Sequence, residues 1–299
     1  MPSVSSIEEA SEALASAHRE GSTRRIGEDL TGHGLNRILE HDPGDLTCTV
    51  EAGVRLSELR TVLAAAGQRL SLDPPGDPTI GALLALNLSG PLRHRFGAPR
   101  DLVLGVTVVL ADGTVANAGG KVVKNVAGYD LARLVCGSEG RLAFIVRASL
   151  RLHPLPKATR TLVVETEDSA LVVSRLLRSQ VQPSALDILH PGRVAVLFEG
   201  SPRAVEAQLA QAVSLVGGNR SGGEIWEEGR ARQARATSRV RFPPGDLADA
   251  LPSLDEAVIR PAAGVAYGLA RIPADTPPDV RRLFDAIRGE LDPGGVLAG

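Results

Sequence analysis

With 299 residues, 43% of them hydrophobic and 23% charged, the chain has the length for two domains and the balance of a soluble globular protein. A formal net charge of -2 removes the electrostatic case for nucleic acid or an anionic membrane as a main partner. The only cysteines, Cys48 and Cys136, form no Cys-x-x-Cys pattern, which excludes an iron–sulfur cluster or a disulfide framework and leaves a reduced cytoplasmic chain as the expectation.

The opening MPSVSSIEEASEALASAHREG is polar and lacks the charged-then-apolar order of a signal peptide. Ile7, Ala10, Leu14 and Ala17 fall at helical spacing and predict a helix over 6–19. Leu46, Cys48 and Val50 alternate with polar residues, a half-buried strand over 45–51. Leu56, Leu59, Val62, Leu63 and Ala66 mark a second helix that stops at Gly67. Three prolines keep residues 72–78 irregular, and 79–90 forms a small-residue helix or turn. A basic loop at 93–97 leads to a strand over 102–110, and Asp112-Gly113 turns it back into Thr114-Val115. A further strand over 141–152 ends at His153-Pro154-Leu155-Pro156.

Beyond that point the pattern changes. A strand at 162–165, a helix at 168–179, strands at 185–189 and 193–198 and a helix at 201–216 give β-α-β-β-α order, an open sheet with helices on one face. Residues 221–241 are rich in Arg and Glu and carry no clear period, while 278–291 is helical. The fold class is α+β, with domains at 1–156 and 157–299. No run approaches about 18 apolar residues, so no integral membrane segment is expected.

The chemistry concentrates in Gly119-Gly120-Lys121-Val122-Val123-Lys124-Asn125-Val126-Ala127-Gly128-Tyr129-Asp130-Leu131, followed by Cys136-Gly137-Ser138-Glu139-Gly140. Dense glycine lets a backbone approach a ligand, and two of the chain's three lysines fall here. Other schemes fail on their residues. No two histidines share i, i+4 spacing, Ser138 lacks a nucleophile elbow, Gly120-Lys121 lacks a P-loop, and no G-x-G-x-x-G occurs. What remains is a glycine-rich, Ser/Thr/Asn-dotted surface over about residues 74–146, suited to backbone N–H groups cradling a dinucleotide diphosphate.

These residues carry a resemblance. GGKVVKNVAGYDLARLVCGSEG, DPPGDPTIGALLALNLSGPLRHRFGAPRDLVLGVTVVLADGT and LNRILEHDPGDLTCTVEAGV together resemble the FAD-linked oxidases of the vanillyl-alcohol-oxidase type. Within them the NVAGYDL wording is similar to the E subunits of glycolate oxidases, also called glycolate dehydrogenases. The resemblance implies a PCMH-type two-subdomain FAD-binding fold over 1–156 and a smaller ferredoxin-like cap with a C-terminal helix over 157–299. It implies non-covalent FAD held by Thr79, Ile80, Gly81, Asn87, Ser89, Gly90, Asp101, Gly128, Tyr129, Gly140, Ile145 and Val146, with Tyr129 and Lys124 as catalytic candidates.

The sequence departs from that pattern in three places. The pyrophosphate loop is shortened at 19–31, and Glu28 and Asp29 stand where a dianion would lie. Ala143-Phe144 replaces a smaller pair. No His follows His190, so the His-x-Gly-Asp-Gly-Asn motif of the companion catalytic subunits is missing. The implied role is therefore an FAD-binding subunit of a glycolate or 2-hydroxy-acid oxidoreductase, taking part in flavin-mediated oxidation or electron transfer and inactive alone. Its implied partners are a catalytic flavoprotein subunit and an iron–sulfur subunit, through which a cytoplasmic chain could reach a membrane. The alternative is a cofactor-poor structural subunit with a degenerate loop.

Overall fold

The computed structural model describes residues 3–120, 130–269 and 278–298. Helix α1 (Ile7–Glu20) starts where Ser6 accepts a hydrogen bond from the Glu9 amide and stops at Gly21, whose φ is 63°. Strands β1 (Ile38–Asp42) and β2 (Thr47–Glu51) pair antiparallel. Helix α2 (Leu56–Ala65) and the two-residue strand β3 (Gln68–Arg69) follow. Next come the short helices α3 (Ile80–Ala85), α4 (Arg93–Phe96) and α5 (Pro99–Leu102), then the β4 (Val103–Val109) and β5 (Val115–Gly119) hairpin. Helix α6 (Leu131–Val135), β6 (Phe144–Arg151) and β7 (His153–Pro154) complete the first unit.

Its sheet runs β1-β2-β6-β4-β5, antiparallel throughout. Leu59 and Leu63 of α2 and Leu83 of α3 pack with Val50, Val106, Val108 and Leu150 in one core. A second core joins Ala10 and Leu14 of α1 to Val109, Phe144, Val146, Val296 and Leu297. The last two residues are notable, because a linear division at 156 assigns them to the second unit. The chain instead returns: the Arg24 amide donates to the Val296 carbonyl at 2.7 Å, and Asp292 accepts from the Val296 and Leu297 amides at 2.7 and 2.9 Å. Two apolar residues at the chain's end fill the gap beside α1 that the first unit leaves open.

The second unit holds β8 (Ala158–Glu165), α7 (Ser169–Leu177), β9 (Ala185–His190), β10 (Arg193–Gly200), α8 (Pro202–Val216) and β11 (Asn219–Ser221). Helix α9 (Glu224–Arg235) and strands β12 (Ser238–Arg241), β13 (Ala257–Arg260) and β14 (Val265–Gly268) complete its sheet, and the C-terminal helix spans Pro278–Leu291. The sheet is widened to seven antiparallel strands, β11-β8-β10-β9-β13-β14-β12. Leu186, Ile188 and Val196 face Val172, Leu176, Val205 and Leu209 of α7 and α8. The alternate residues Ala185, Leu189 and Ala195 face Ile225 and Trp226 of α9 on the other side.

Helix α9 and strand β1 were not expected from the sequence. The helix buries only Ile225, Trp226, Gly229 and Gln233, a stripe too thin to register among Arg and Glu. Strand β1 is a sheet edge with the half-exposed sequence ILEHD. Among the described residues no helix is long and apolar enough to cross a membrane.

Candidate functional site

A cleft of about 260 Å³ opens in the first unit between the 26–33 turn, the start of α3 and the 139–145 run into β6. Thr79, Gly81, Gly140 and Ile145, four of the residues that the resemblance assigns to FAD, line it together with Ile26, Gly32, Gly53 and Phe144. Glycine is demanded at two of these positions. A Cβ on Gly53 would lie 2.1 Å from the Gly32 carbonyl oxygen. Gly140 has φ +78°, and its Cβ would meet Ile26 at 2.8 Å. Backbone is thus brought against backbone at Gly53 and against the Ile26 side chain at Gly140, a close approach that leaves room for no side chain at either position.

The remaining expected residues fall in three places. Ile80 and Val146 are fully buried in the core, and the Val146 carbonyl accepts from the Ala52 amide behind the cleft wall at 3.0 Å. Asp101 is exposed and caps α5, its Oδ2 accepting from the Ala98 amide at 2.8 Å. Ser89 and Gly90 lie at the seam between the units; a Cβ on Gly90 would stand 1.8 Å from the Asp73 carbonyl oxygen. Asn87, at the end of α3, has φ +49° and a buried Oδ1 with no hydrogen-bond partner among the described residues. The Ser138 hydroxyl, on the loop docked against the same helix end, is orphaned likewise. Gly128, Tyr129 and Lys124 lie outside the described residues.

A flavin dinucleotide fits these residues. The cleft wall is apolar and glycine-cradled, with Thr31, His33 and Thr79 among its polar lining. The acids of the shortened loop do not enter it. Glu28 pairs with Arg25 at 3.1 Å, and Asp29 accepts from the Arg25 amide at 2.8 Å. Glu139, on the rim, pairs with Arg141 at 2.8 Å. Sequence reasoning missed Ile26 and Gly32; the only signal for them was the Gly32-His33-Gly34 run just past the shortened loop. Phe144, expected to crowd a cofactor, does line the cleft, its ring 3.3 Å from where a Gly32 Cβ would lie. Among the described residues no group of three or more His, Cys, Asp or Glu could hold a metal ion.

The seam beside the cleft is polar and buried. The Ser89 carbonyl accepts from Gln233 Nε2 at 3.0 Å and Arg260 Nη1 at 3.3 Å, and Arg260 Nη2 donates to Gln233 Oε1 at 2.6 Å. Asp187 faces the Arg260 Nε at 3.6 Å, and Asp73 faces Arg230 at 3.7 Å. Burial raises the Asp187 carboxyl to about 6 and the Asp73 carboxyl to about 7, against the pull of the neighbouring arginines. A carboxyl whose folded pKa lies above its unfolded value gives its full stability below the unfolded value, near 4, and loses it as pH rises. The wild-type chain is therefore expected to lose stability relative to Asp187→Asn between about pH 4 and pH 6, by at most about 1.4 kcal/mol per pH unit. Denaturant unfolding of both proteins across that range measures it; a constant difference would show that Asp187 is ionised throughout.

Residues 5–119 match the FAD binding domain family. The chain is 33% identical over 218 residues to glycolate oxidase subunit GlcE of Escherichia coli (strain K12), covering 70% of this chain and 61% of that protein. It is 35% identical over 184 residues to glycolate oxidase subunit GlcD of Bacillus subtilis (strain 168), covering 58% of this chain and 39% of that one. With mitochondrial D-lactate dehydrogenase [cytochrome] 1 of Saccharomyces cerevisiae (strain ATCC 204508 / S288c) it shares 32% over 179 residues, 58% of this chain and 30% of the other. The chain thus spans less than two thirds of the length of each of these relatives. Alkyldihydroxyacetonephosphate synthase superposes with a TM-score of 0.76 at 16% identity, covering 99% of this chain and 74% of that one. That likeness shows that the two units together have the fold of that protein.

Proposed function

We propose, from the match of residues 5–119 to the FAD binding domain family, that the chain is the FAD-binding subunit of a glycolate or related 2-hydroxy-acid oxidoreductase complex. The observation that carries this is the 218-residue likeness to GlcE, laid over a cleft whose walls need glycine at Gly53 and Gly140. Bound FAD supplies the two-electron acceptor that the amino acids themselves lack. The chain's own part is positional. The backbones of Gly32, Gly53, Gly81 and Gly140 admit the cofactor, Thr79 offers it a polar contact, and Phe144 excludes water from the cleft. The other positions matched by resemblance, Ile80 and Val146 in the core, Ser89 and Gly90 at the seam and the exposed Asp101 on α5, support that frame. Gly128, Tyr129 and Lys124 are assigned to the flavin's reactive side on the resemblance alone.

No His follows His190, so the base that accepts the substrate proton comes from a catalytic flavoprotein subunit, with an iron–sulfur subunit as the onward electron carrier. Purifying the chain, denaturing it and quantifying released flavin tests the reading. One flavin per chain, or stoichiometric uptake of added FAD, is expected. Gly140→Val adds a branched Cβ at a positive φ against Ile26 and is expected to weaken FAD binding at least about tenfold while circular dichroism stays native. A colourless chain that takes up no FAD would instead favour the cofactor-poor structural subunit. The specific support for that reading is the Phe144 ring packed against Gly32 within the cleft.

A further inference from the structure

The sheet register of the second unit gathers positive charge where no acid among the described residues answers it. Arg239 and Arg241 sit two residues apart on the edge strand β12, so both point to one face. Their cross-strand partners on β14 are Tyr267 and Val265, and Val265 is in turn opposite Arg260 on β13. That face carries α9, and it meets α4 of the first unit, from which Arg93 interacts electrostatically with Arg239, Arg241, Arg260 and Tyr267. The Arg260 and Arg239 guanidinium carbons stand 5.0 and 5.8 Å from the Tyr267 ring centroid.

Arg260 is answered by Asp187 and, behind it, Asp73. Arg93, Arg239 and Arg241 have no acidic partner among the described residues, and Arg93 reaches only the Ser89 hydroxyl, at 3.2 Å. The Arg239 Nε is buried without a hydrogen-bond partner there. Burial, and then the neighbouring guanidinium charge, pushes the Arg93 and Arg241 pKa values down. Arg93 and Arg239 are half-buried and Arg241 is exposed at the strand end; half-buried guanidinium groups that repel one another destabilise a fold unless an anion joins them. Planar forks of N–H donors match carboxylate geometry two bonds at a time.

We infer that Arg93, Arg239 and Arg241, closed by Tyr267, form an anion site at the seam of the two units that takes a small organic acid with two negative charges, such as a dicarboxylate. Three cations without an acidic partner among the described residues set the charge. The site does not rest on the flavin reading above.

The test is calorimetric titration of the whole chain at low ionic strength with malonate, acetate and inorganic phosphate. Malonate is expected to bind at least tenfold more tightly than either of the others. Arg239→Met and Arg241→Met are each expected to weaken malonate at least tenfold and, without anion, to leave the melting temperature unchanged or raised, because a repelling charge has gone. A purely structural arginine would lower it. Absence of malonate binding by natively folded chain, phosphate binding as tight as malonate, or variants that melt earlier yet bind malonate normally would each overturn the inference. Titrating the same preparation with FAD separates the two claims: malonate binding without FAD binding would sink the flavin reading and keep the anion site.

Discussion

Replacing Gly53 by alanine is expected to lower the melting temperature by roughly 6–12 °C and to abolish FAD uptake. The new methyl carbon would stand 2.1 Å from the Gly32 carbonyl oxygen and 2.7 Å from that of Leu35, and both obstacles are backbone. The Gly53 amide also donates to the Leu35 carbonyl at 2.7 Å, so the segment cannot retreat without breaking that bond. Overpacking against rigid backbone, with a lost hydrogen bond, costs about 3 kcal/mol, which for units of this size is roughly 2–4 °C per kcal/mol. The cleft would open at the same time, since Gly32 and Gly53 both line it. Thermal unfolding together with flavin titration checks both effects. A variant that melts normally and takes up FAD would mean that the 32–35 turn is free to move.

The second large effect is expected at the seam. Arg69, on the first unit's β3, meets Glu199 of β10 through two parallel bonds of 2.7 and 2.6 Å. Its guanidinium also lies 5.1 Å from the Phe96 ring centroid. The Glu199 side chain is only 6% exposed, so Arg69→Met strands a buried carboxylate. Breaking such a pair from one side costs about 3–5 kcal/mol, whereas replacing both partners by apolar groups of similar volume is often close to neutral. Arg69→Met alone is therefore expected to melt well below the wild type, and Arg69→Met with Glu199→Leu to recover most of the loss. A double-mutant cycle in thermal unfolding measures the coupling. Additive effects would show that the pair does not hold the units together.

Local pattern was enough for much of this molecule. Helix α1, helix α2 with its stop at Gly67, the Asp112-Gly113 turn and the C-terminal helix follow from spacing and turn chemistry, because those signals lie within a few residues of each other. The cofactor class was legible too, through wording rather than periodicity: glycine density at 119–140 and the TIG run pointed to a dinucleotide, and Thr79, Gly81, Gly140 and Ile145 do meet in one cleft. Strand β1 and helix α9 escaped, since an edge strand and a helix burying four side chains leave too weak a period among charged residues.

Tertiary structure decided the rest, for one physical reason: burial and charge are set by contacts between distant parts of the chain. Ile80 and Val146 stand beside cleft residues in sequence, yet the helix and strand periods turn them into the core. Glu28 and Asp29 threatened the cofactor on paper, but the turn at Arg25 ties both away from the cleft. Val296 and Leu297 close the core beside α1 from the far end of the chain. Arg93 meets Arg239, Arg241 and Tyr267 only because strand register and the docking of α4 set them on facing surfaces. No reading of neighbouring residues contains that register.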